Sequence, residues 1–183
     1  MTPTAIIVMG VSGCGKSSLA QALTERLQKE GLAATMLEGD EYHPPANIEK
    51  MRQGQALNDQ DREPWLKRLN QELAQTINHG QFAILACSAL KEKYREILSA
   101  GINKPLWLHP IGSFELIEAR MKARQHKYMP ATLLRSQFET LEPPAYGIEL
   151  SIDQPIATLA EQAFAHVMTS TKINQTNEKA KDQ

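Results

Sequence analysis

Eight consecutive residues near the N-terminus have the composition of a loop that binds phosphate groups. Residues 10–17 read GVSGCGKS and match G-x-x-x-x-G-K-[ST] at every constrained position. Glycines at 10, 13 and 15 allow a tight turn that brings backbone N–H groups close to phosphate oxygens. We expect Lys16 to reach the β- and γ-phosphates of a nucleotide and the Ser17 hydroxyl to ligate Mg²⁺. The predicted nucleotide-binding residues are Gly10, Val11, Ser12, Gly13, Cys14, Gly15, Lys16, Ser17 and Ser18.

The sequence on either side of this motif has the pattern that a phosphate-binding loop requires. An apolar run at residues 5–9 predicts a strand that is buried on both faces. After Lys16, leucines recur every four residues until Gly31, as in a helix that packs on one face. A strand before the loop and a helix after it argue against a chance match. The motif indicates phosphate binding but no particular reaction.

A carboxylate follows the second predicted strand, at residues 33–37. The next residues read EGDEYHP, and Asp40 is the candidate general base within them. At the carboxyl end of a strand, Asp40 is placed to orient an attacking hydroxyl and take its proton. Two alternatives stay open: Asp40 caps the next segment, or it holds Mg²⁺ through water. Lys16 and Asp40 are therefore the first two candidate catalytic residues.

Strand and helix patterns alternate along the rest of the chain. Further strands are predicted at residues 82–87, 106–109 and 148–152, and helices at 61–79, 88–98, 114–124, 132–141 and 156–168. Asp61 and Ser88 are the predicted N-caps of the first two of these helices. Five strands that alternate with helices predict an α/β fold with a five-stranded, parallel, doubly wound sheet. Ligands are expected at the carboxyl ends of the strands.

Length and composition favour one cytoplasmic domain. The chain has 183 residues, a net charge of −1 and two cysteines far apart in sequence. We expect one α/β domain over residues 1–169 and a disordered polar tail over 170–183. The charge argues against a nucleic-acid partner, and the apolar run at 5–9 is too short for a membrane span. The cysteine spacing favours a reduced, cytoplasmic protein.

Several further blocks of sequence are not general features of phosphate-binding loops. They are residues 39–40, 43–44, 47, 50–51, 54, 57–59, 61–62, 64–66, 87–91, 94–95 and 136–142. With residues 9–17, they make the chain resemble bacterial gluconokinases, small P-loop kinases related in fold to shikimate and nucleoside monophosphate kinases. The resemblance covers residues 6–167. It implies ATP and Mg²⁺ as cofactors, phosphorylation of D-gluconate at its terminal hydroxyl to 6-phospho-D-gluconate, and a homodimer.

Gluconate carries one carboxylate and five hydroxyls, so its site needs cations and neutral polar groups. Arg62, Lys91 and Arg95 are the candidate partners of the carboxylate, and the sequence leaves open which of them binds it. Trp65 is expected in the core rather than as a stacking surface for the sugar chain. The candidate partners of the hydroxyls are Asp40, His43, Asn47, Ser88 and Gln137.

A basic segment at about residues 120–131 is the candidate lid. Arg120 and Arg124 are four residues apart and share one helix face. They are predicted to close over ATP and neutralise charge on the transferring phosphoryl group. The alternative is a solvated helix face without a catalytic role. The family pattern has glycine and then histidine after the second arginine, whereas this chain reads Gln125-His126.

Two other functions fit the phosphate loop. One is a kinase for a different small acceptor, such as shikimate or a nucleoside monophosphate. The other is a regulatory switch that hydrolyses ATP slowly and signals through its conformation. The density of polar residues on the acceptor side favours a kinase over a switch.

Overall fold

The fold is built on one sheet of five parallel strands. The computed structural model describes residues 1–123 and 131–179, apart from the side chains of 131–132 and 173–179. The strands are β1 (Ala5–Val8), β2 (Ala34–Glu38), β3 (Phe82–Ala86), β4 (Leu106–Ile111) and β5 (Ile148–Ser151). Their order across the sheet is β2-β3-β1-β4-β5, and every pair is parallel. The predicted α/β class and five-stranded parallel sheet are confirmed.

Helices cover both faces of this sheet. They are α1 (Lys16–Lys29), α2 (Pro45–Arg52), α3 (Asp59–Asn78), α4 (Glu92–Ser99), α5 (Phe114–Ala123), α6 (Ala131–Thr140) and α7 (Ile156–Lys179). Among the residues described, none of these helices is both long and apolar enough to cross a membrane.

Strand β1 lies at the centre of the sheet and contributes side chains to two apolar cores, one on each face. Ile6 and Val8 pack on the face covered by α1, α5 and α7, whereas Ile7 and Met9 pack on the face covered by α3 and α4. Successive side chains of a strand point to opposite faces, so a strand between two helical layers must be apolar throughout. The phosphate loop therefore begins at the end of the most buried strand.

The start of α3 differs from its prediction. Asn58, and not Asp61, is the N-cap: its Oδ1 accepts a hydrogen bond of 2.8 Å from the Asp61 backbone N–H. Asp61 completes a capping box, because its Oδ2 accepts from the Asn58 N–H at 3.0 Å. Both residue types favour the N-cap, so the sequence alone did not separate them.

Other boundaries also differ. Helix α4 begins at Glu92 with Lys91 as its N-cap, so the predicted cap at Ser88 is wrong. The sequence analysis did not predict α2 or the short 3₁₀ turn over Gly39–Tyr42. Helix α7 continues to Lys179, beyond the predicted end at residue 168, while residues 180–183 lie outside the described part. Residues 170–179 thus have a helical backbone, in the segment for which the sequence analysis expected a disordered tail.

Removing the observed cap should destabilise the fold measurably. We expect Asn58→Ala to lower the free energy of unfolding by about 1 kcal/mol, because a backbone N–H of α3 loses its acceptor. Asn58→Asp should retain most of the stability, since it also accepts this bond. Asn78→Ala, at the other end of α3, is the matched control and should change the stability little. Urea unfolding measures all three variants, and equal losses for Asn58→Ala and Asn78→Ala would contradict the assignment.

Candidate active site

The phosphate loop is open to an anion. Gly10, Gly13 and Gly15 have φ values of +133°, +81° and +95°, a region that favours glycine. Helix α1 begins at Lys16, and within the described part of the chain no side chain caps its first N–H groups. Uncapped N–H groups and the helix dipole together attract phosphate. These residues therefore fit the triphosphate of a nucleotide.

Neighbouring side chains fix the shape of the loop. A Cβ atom added to Gly13 would lie 2.6 Å from Cγ of Met121 on α5, so only glycine fits this contact. Val11 and Cys14 are buried and can contact phosphate only through their backbones. Burial raises the pKa of the Cys14 thiol above its usual value, which keeps the side chain uncharged.

The charged and hydroxyl groups of the loop are accessible. The Lys16 ammonium donates a hydrogen bond of 3.0 Å to the carbonyl of Val11, while Ser17 and Ser18 are exposed at the start of α1. An exposed Ser17 hydroxyl is suited to ligate a magnesium ion that also binds phosphate oxygens. The part of the site that would bind the phosphate donor, here called the donor side, thus has a cation, a hydroxyl and uncapped N–H groups within a single turn of the described chain.

Asp40 lies just beyond the carboxyl end of β2. A Cβ atom on Gly39 would be 2.7 Å from the carbonyl oxygen of Ala86 at the end of β3, so glycine allows this close approach. The indole N–H of Trp65 donates to the Gly39 carbonyl at 2.7 Å, and Trp65 is only 3% exposed, which confirms its place in the core. The Asp40 side chain is 89% exposed and available to a ligand.

His43 is held beside Asp40. Its ring stacks on that of Trp65 with centroids 4.1 Å apart, and its Nε2 lies 4.0 Å from Oδ1 of Asp40. Burial lowers the pKa of His43, with Arg62 acting in the same direction and Asp40 against it. The ring is therefore neutral at pH 7 and can donate or accept a hydrogen bond.

Asn47 has a structural contact that its prediction did not include. It is 4% exposed, and its Nδ2 donates to the backbone carbonyl of Asp61 at 2.8 Å. Lys50, one turn later on α2, forms a salt bridge of 2.6 Å with the Asp61 carboxylate. These two contacts attach α2 to the start of α3. The Asn47 side chain therefore helps to hold these two helices together.

A group of cations surrounds Tyr94 on α4. The Arg62 guanidinium and the ammonium groups of Lys91 and Lys93 lie 5.7, 5.7 and 5.9 Å from its ring centroid. Burial first, and then a hydrogen bond to Asp59, raise the pKa of the Tyr94 hydroxyl to about 12. One carboxylate against three cations leaves this group with a net positive charge, as an anionic substrate requires.

Asp59 is the carboxylate at the centre of this group, and the sequence analysis gave it no role. It accepts hydrogen bonds from Lys93, from the Tyr94 hydroxyl and from Lys91, the last at 3.1 Å. These three bonds hold the pKa of Asp59 far below its usual value. Its partners are more than thirty residues away in sequence, so no local pattern could reveal the contact.

The prediction that Arg95 binds substrate is not supported by its geometry. The side chain is 1% exposed, and its guanidinium donates to Glu92 at 2.6 Å, to the Tyr146 hydroxyl at 3.0 Å and to three backbone carbonyls. A buried arginine needs such partners to offset its lost hydration. Arg95 therefore supports the segments around it from inside the protein.

Two other predicted residues, Ser88 and Gln137, contact the phosphate loop. The carbonyl of Ser88 accepts from the Gly10 N–H at 3.1 Å, and Oε1 of Gln137 accepts from the Ser12 N–H at 2.6 Å. Arg120 donates to the carbonyl of Ile152 after β5. Arg124 and most of the predicted lid fall at residues 124–130, which lie outside the described part.

Curated proteins and a solved structure identify gluconokinases as relatives of this chain, and a family model of a related kinase also matches it. A model of the adenylylsulphate kinase family matches residues 2–108. The thermoresistant gluconokinase of Escherichia coli is 39% identical over 82% of this chain and 85% of its own length. The gluconokinase of Gluconobacter oxydans is 43% identical, covering 94% and 91%. A crystal structure of a gluconokinase from Sinorhizobium meliloti, 35% identical, superposes with a TM-score of 0.83 over 96% of this chain and 98% of the other.

One histidine against the phosphate loop should make stability depend on pH. His109, on β4, is buried, and its Nδ1 has no hydrogen-bond partner among the described residues. Its Cδ2 would lie 3.4 Å from a Cβ on Gly10. Burial lowers the pKa of His109; Glu149 opposes this shift and Arg95 adds to it.

Because the folded pKa is the lower one, the unfolded chain binds the proton first as the pH falls below about 6.5. The free energy of unfolding should therefore decrease from pH 7 towards pH 5. In His109→Gln this decrease should be smaller, with His43 and His166 retaining part of it because burial lowers their pKa values too. Urea titrations at several pH values measure the slope, and an unchanged slope in the variant would refute this role.

Proposed function

The chain belongs to the gluconokinase family of P-loop kinases, and from this premise we propose that it transfers the γ-phosphoryl group of ATP to the terminal hydroxyl of D-gluconate. The products are ADP and 6-phospho-D-gluconate. The observation that carries the proposal is the similarity to gluconokinases over nearly the full length of this chain. The phosphate loop alone would not separate this acceptor from others.

The donor side binds ATP through the phosphate loop. Backbone N–H groups at the start of α1 hold the phosphates, and Lys16 moves from the Val11 carbonyl to the β- and γ-phosphates. The Ser17 hydroxyl would hold Mg²⁺, which when bound would supply positive charge to offset the charge of the phosphate oxygens. Arg120 and Arg124 are proposed to add positive charge from the lid.

Asp40 is the proposed general base. Its exposed carboxylate follows β2, on the same edge of the sheet as the phosphate loop that follows β1. A carboxylate there orients the terminal hydroxyl towards the γ-phosphorus and accepts its proton as the new O–P bond forms. His43, fixed by its stack on Trp65, is placed to bind a neighbouring hydroxyl.

The cation group around Tyr94 is the proposed site of the gluconate carboxylate. Lys91 and Arg62 face the same ring, and both were predicted as cations for this carboxylate. Asp59 holds Lys91 through a bond of 3.1 Å, so Lys91 is already oriented before substrate binds. Ser88 and Asp40 remain the candidate partners of the hydroxyl groups. We further propose a cytoplasmic homodimer, as the family resemblance implies.

An assay of ADP release tests the function directly. With ATP and Mg²⁺, the wild-type protein should form ADP only when D-gluconate is added. Lys16→Met should lose activity by several orders of magnitude, because catalysis of phosphoryl transfer is mostly positioning and electrostatics. Adenylylsulphate, shikimate and other aldonic acids form the comparison panel, the first because its kinase family model matches residues 2–108.

Equal ADP release without any acceptor would reject the kinase in favour of a regulatory ATPase. Faster turnover of adenylylsulphate or shikimate than of gluconate would reject the proposed acceptor but keep the reaction type.

The role of Asp40 predicts a specific kinetic change. Asp40→Asn should lower kcat roughly 10²-fold or more with ATP binding retained, because the hydroxyl loses its proton acceptor. Glu41→Gln is the matched control: it neutralises the next residue, which is also an exposed carboxylate of the same turn, and should leave kcat near wild type. Steady-state kinetics measure both variants. A rise in the KM for gluconate alone would make Asp40 a binding residue rather than a base.

A further inference from the structure

Helix α6 contacts both halves of the candidate site. In the second half of the helix, Oε1 of Gln137 accepts a hydrogen bond of 2.6 Å from the Ser12 N–H of the phosphate loop. Just beyond its end, the Glu142 N–H donates to the carbonyl of Leu90 at 2.9 Å. Leu90 lies between Ser88 and Lys91, in the loop that follows β3. One short helix thus joins the donor loop to the acceptor loop.

The acceptor end of this connection is reinforced. The Glu142 carboxylate accepts from the Glu92 N–H at 2.6 Å, and the buried Arg95 donates to the Glu142 carbonyl at 2.8 Å. Arg95 also donates to the carbonyls of Ala89 and Leu90 at 3.0 and 3.2 Å. Bonds to a buried charge are costly to break, so the loop after β3 is held firmly to residue 142.

We propose that α6 sets the distance between the phosphate donor and the acceptor, with Gln137 and Glu142 as its positioning residues. The inference rests on the proposed function, because it concerns the two substrates of that reaction. In-line transfer is sensitive to geometry, and a displacement of ~1 Å can lower the rate by the order of 10²-fold. A neutral amide suits the donor end, since it accepts an N–H bond without placing a negative charge beside ATP.

A different role for Gln137 gives opposite kinetics. If its amide only blocked the Ser12 N–H until ATP displaced it, removing the amide would lower the KM for ATP and leave kcat unchanged. A positioning role requires the bond to persist during the reaction. Its removal then lowers kcat and leaves both KM values near wild type.

The experiment uses one variant at each end of α6. Gln137→Met keeps the side-chain length without the acceptor, and Glu142→Ala removes the carboxylate while leaving the backbone bonds. Each should lower kcat roughly 10-fold or more, with both KM values within about twofold of wild type. ADP formation should exceed 6-phosphogluconate formation, because a misaligned donor reacts with water. The double variant should lose less than the product of the two effects, since both act through one helix.

Controls separate positioning from folding. Glu142→Gln keeps an acceptor for the Glu92 N–H and should restore most of kcat, and Glu139→Ala changes an exposed glutamate of the same helix and should have no effect. Thermal unfolding of each variant gives its folded fraction, and the two ends of α6 test the proposal independently.

Three results would overturn the proposal. The first is that both variants keep the wild-type kcat and the wild-type ratio of 6-phosphogluconate to ADP. The second is a lower KM for ATP as the sole effect, and the third is a loss of kcat that equals the unfolded fraction. A wild-type protein that releases no ADP in response to gluconate would instead reject the proposed function.

Discussion

The backbone N–H groups at the start of α1 must stay without protein partners if they are to bind phosphate. This requirement shapes the structure around them, because a loop that leaves these N–H groups for a ligand depends on contacts from the surrounding elements for its shape. Burial of Val11 and Cys14, the contact of Met121 with Gly13 and the bond from Gly10 to Ser88 supply that support. The most buried strand of the sheet ends at this loop, so the flexible glycines extend from a rigid base.

The acceptor side follows a different principle. Three of its lysines are paired before any substrate arrives, with Lys91 and Lys93 bonded to Asp59 and Lys50 bonded to Asp61. Pairing orients long, flexible side chains, and the Asp59 carboxylate shared by Lys91 and Lys93 offsets the repulsion between the two ammonium groups. Arg95 goes further, because its guanidinium is buried and hydrogen-bonded to groups of the protein itself. Exposed Asp40 is the opposite, with its carboxylate left to the ligand.

The sequence predicted the features that depend on local patterns. The strands, the phosphate loop and the sheet class follow from apolar runs, glycine spacing and alternation, and the structure has them all. The resemblance to gluconokinases, read from scattered blocks of residues, is confirmed by relatives that cover most of the chain.

Contacts between distant residues were not predictable in this way. Arg95 looked like a substrate cation because nothing near it in sequence indicates that Glu142 and Tyr146 would enclose it. The choice between Asn58 and Asp61 as N-cap failed for a different reason, since both residue types favour the N-cap.

Helix α2 is attached to the rest of the protein lightly. Asn47 is its only buried residue, and that side chain with Lys50 bonds to a single residue of α3. Sequence changes elsewhere on this helix would therefore cost the fold little. Mutations can accumulate there while the layers that keep the phosphate loop in place stay intact. In evolutionary terms, this helix is free to vary at little risk to the scaffold.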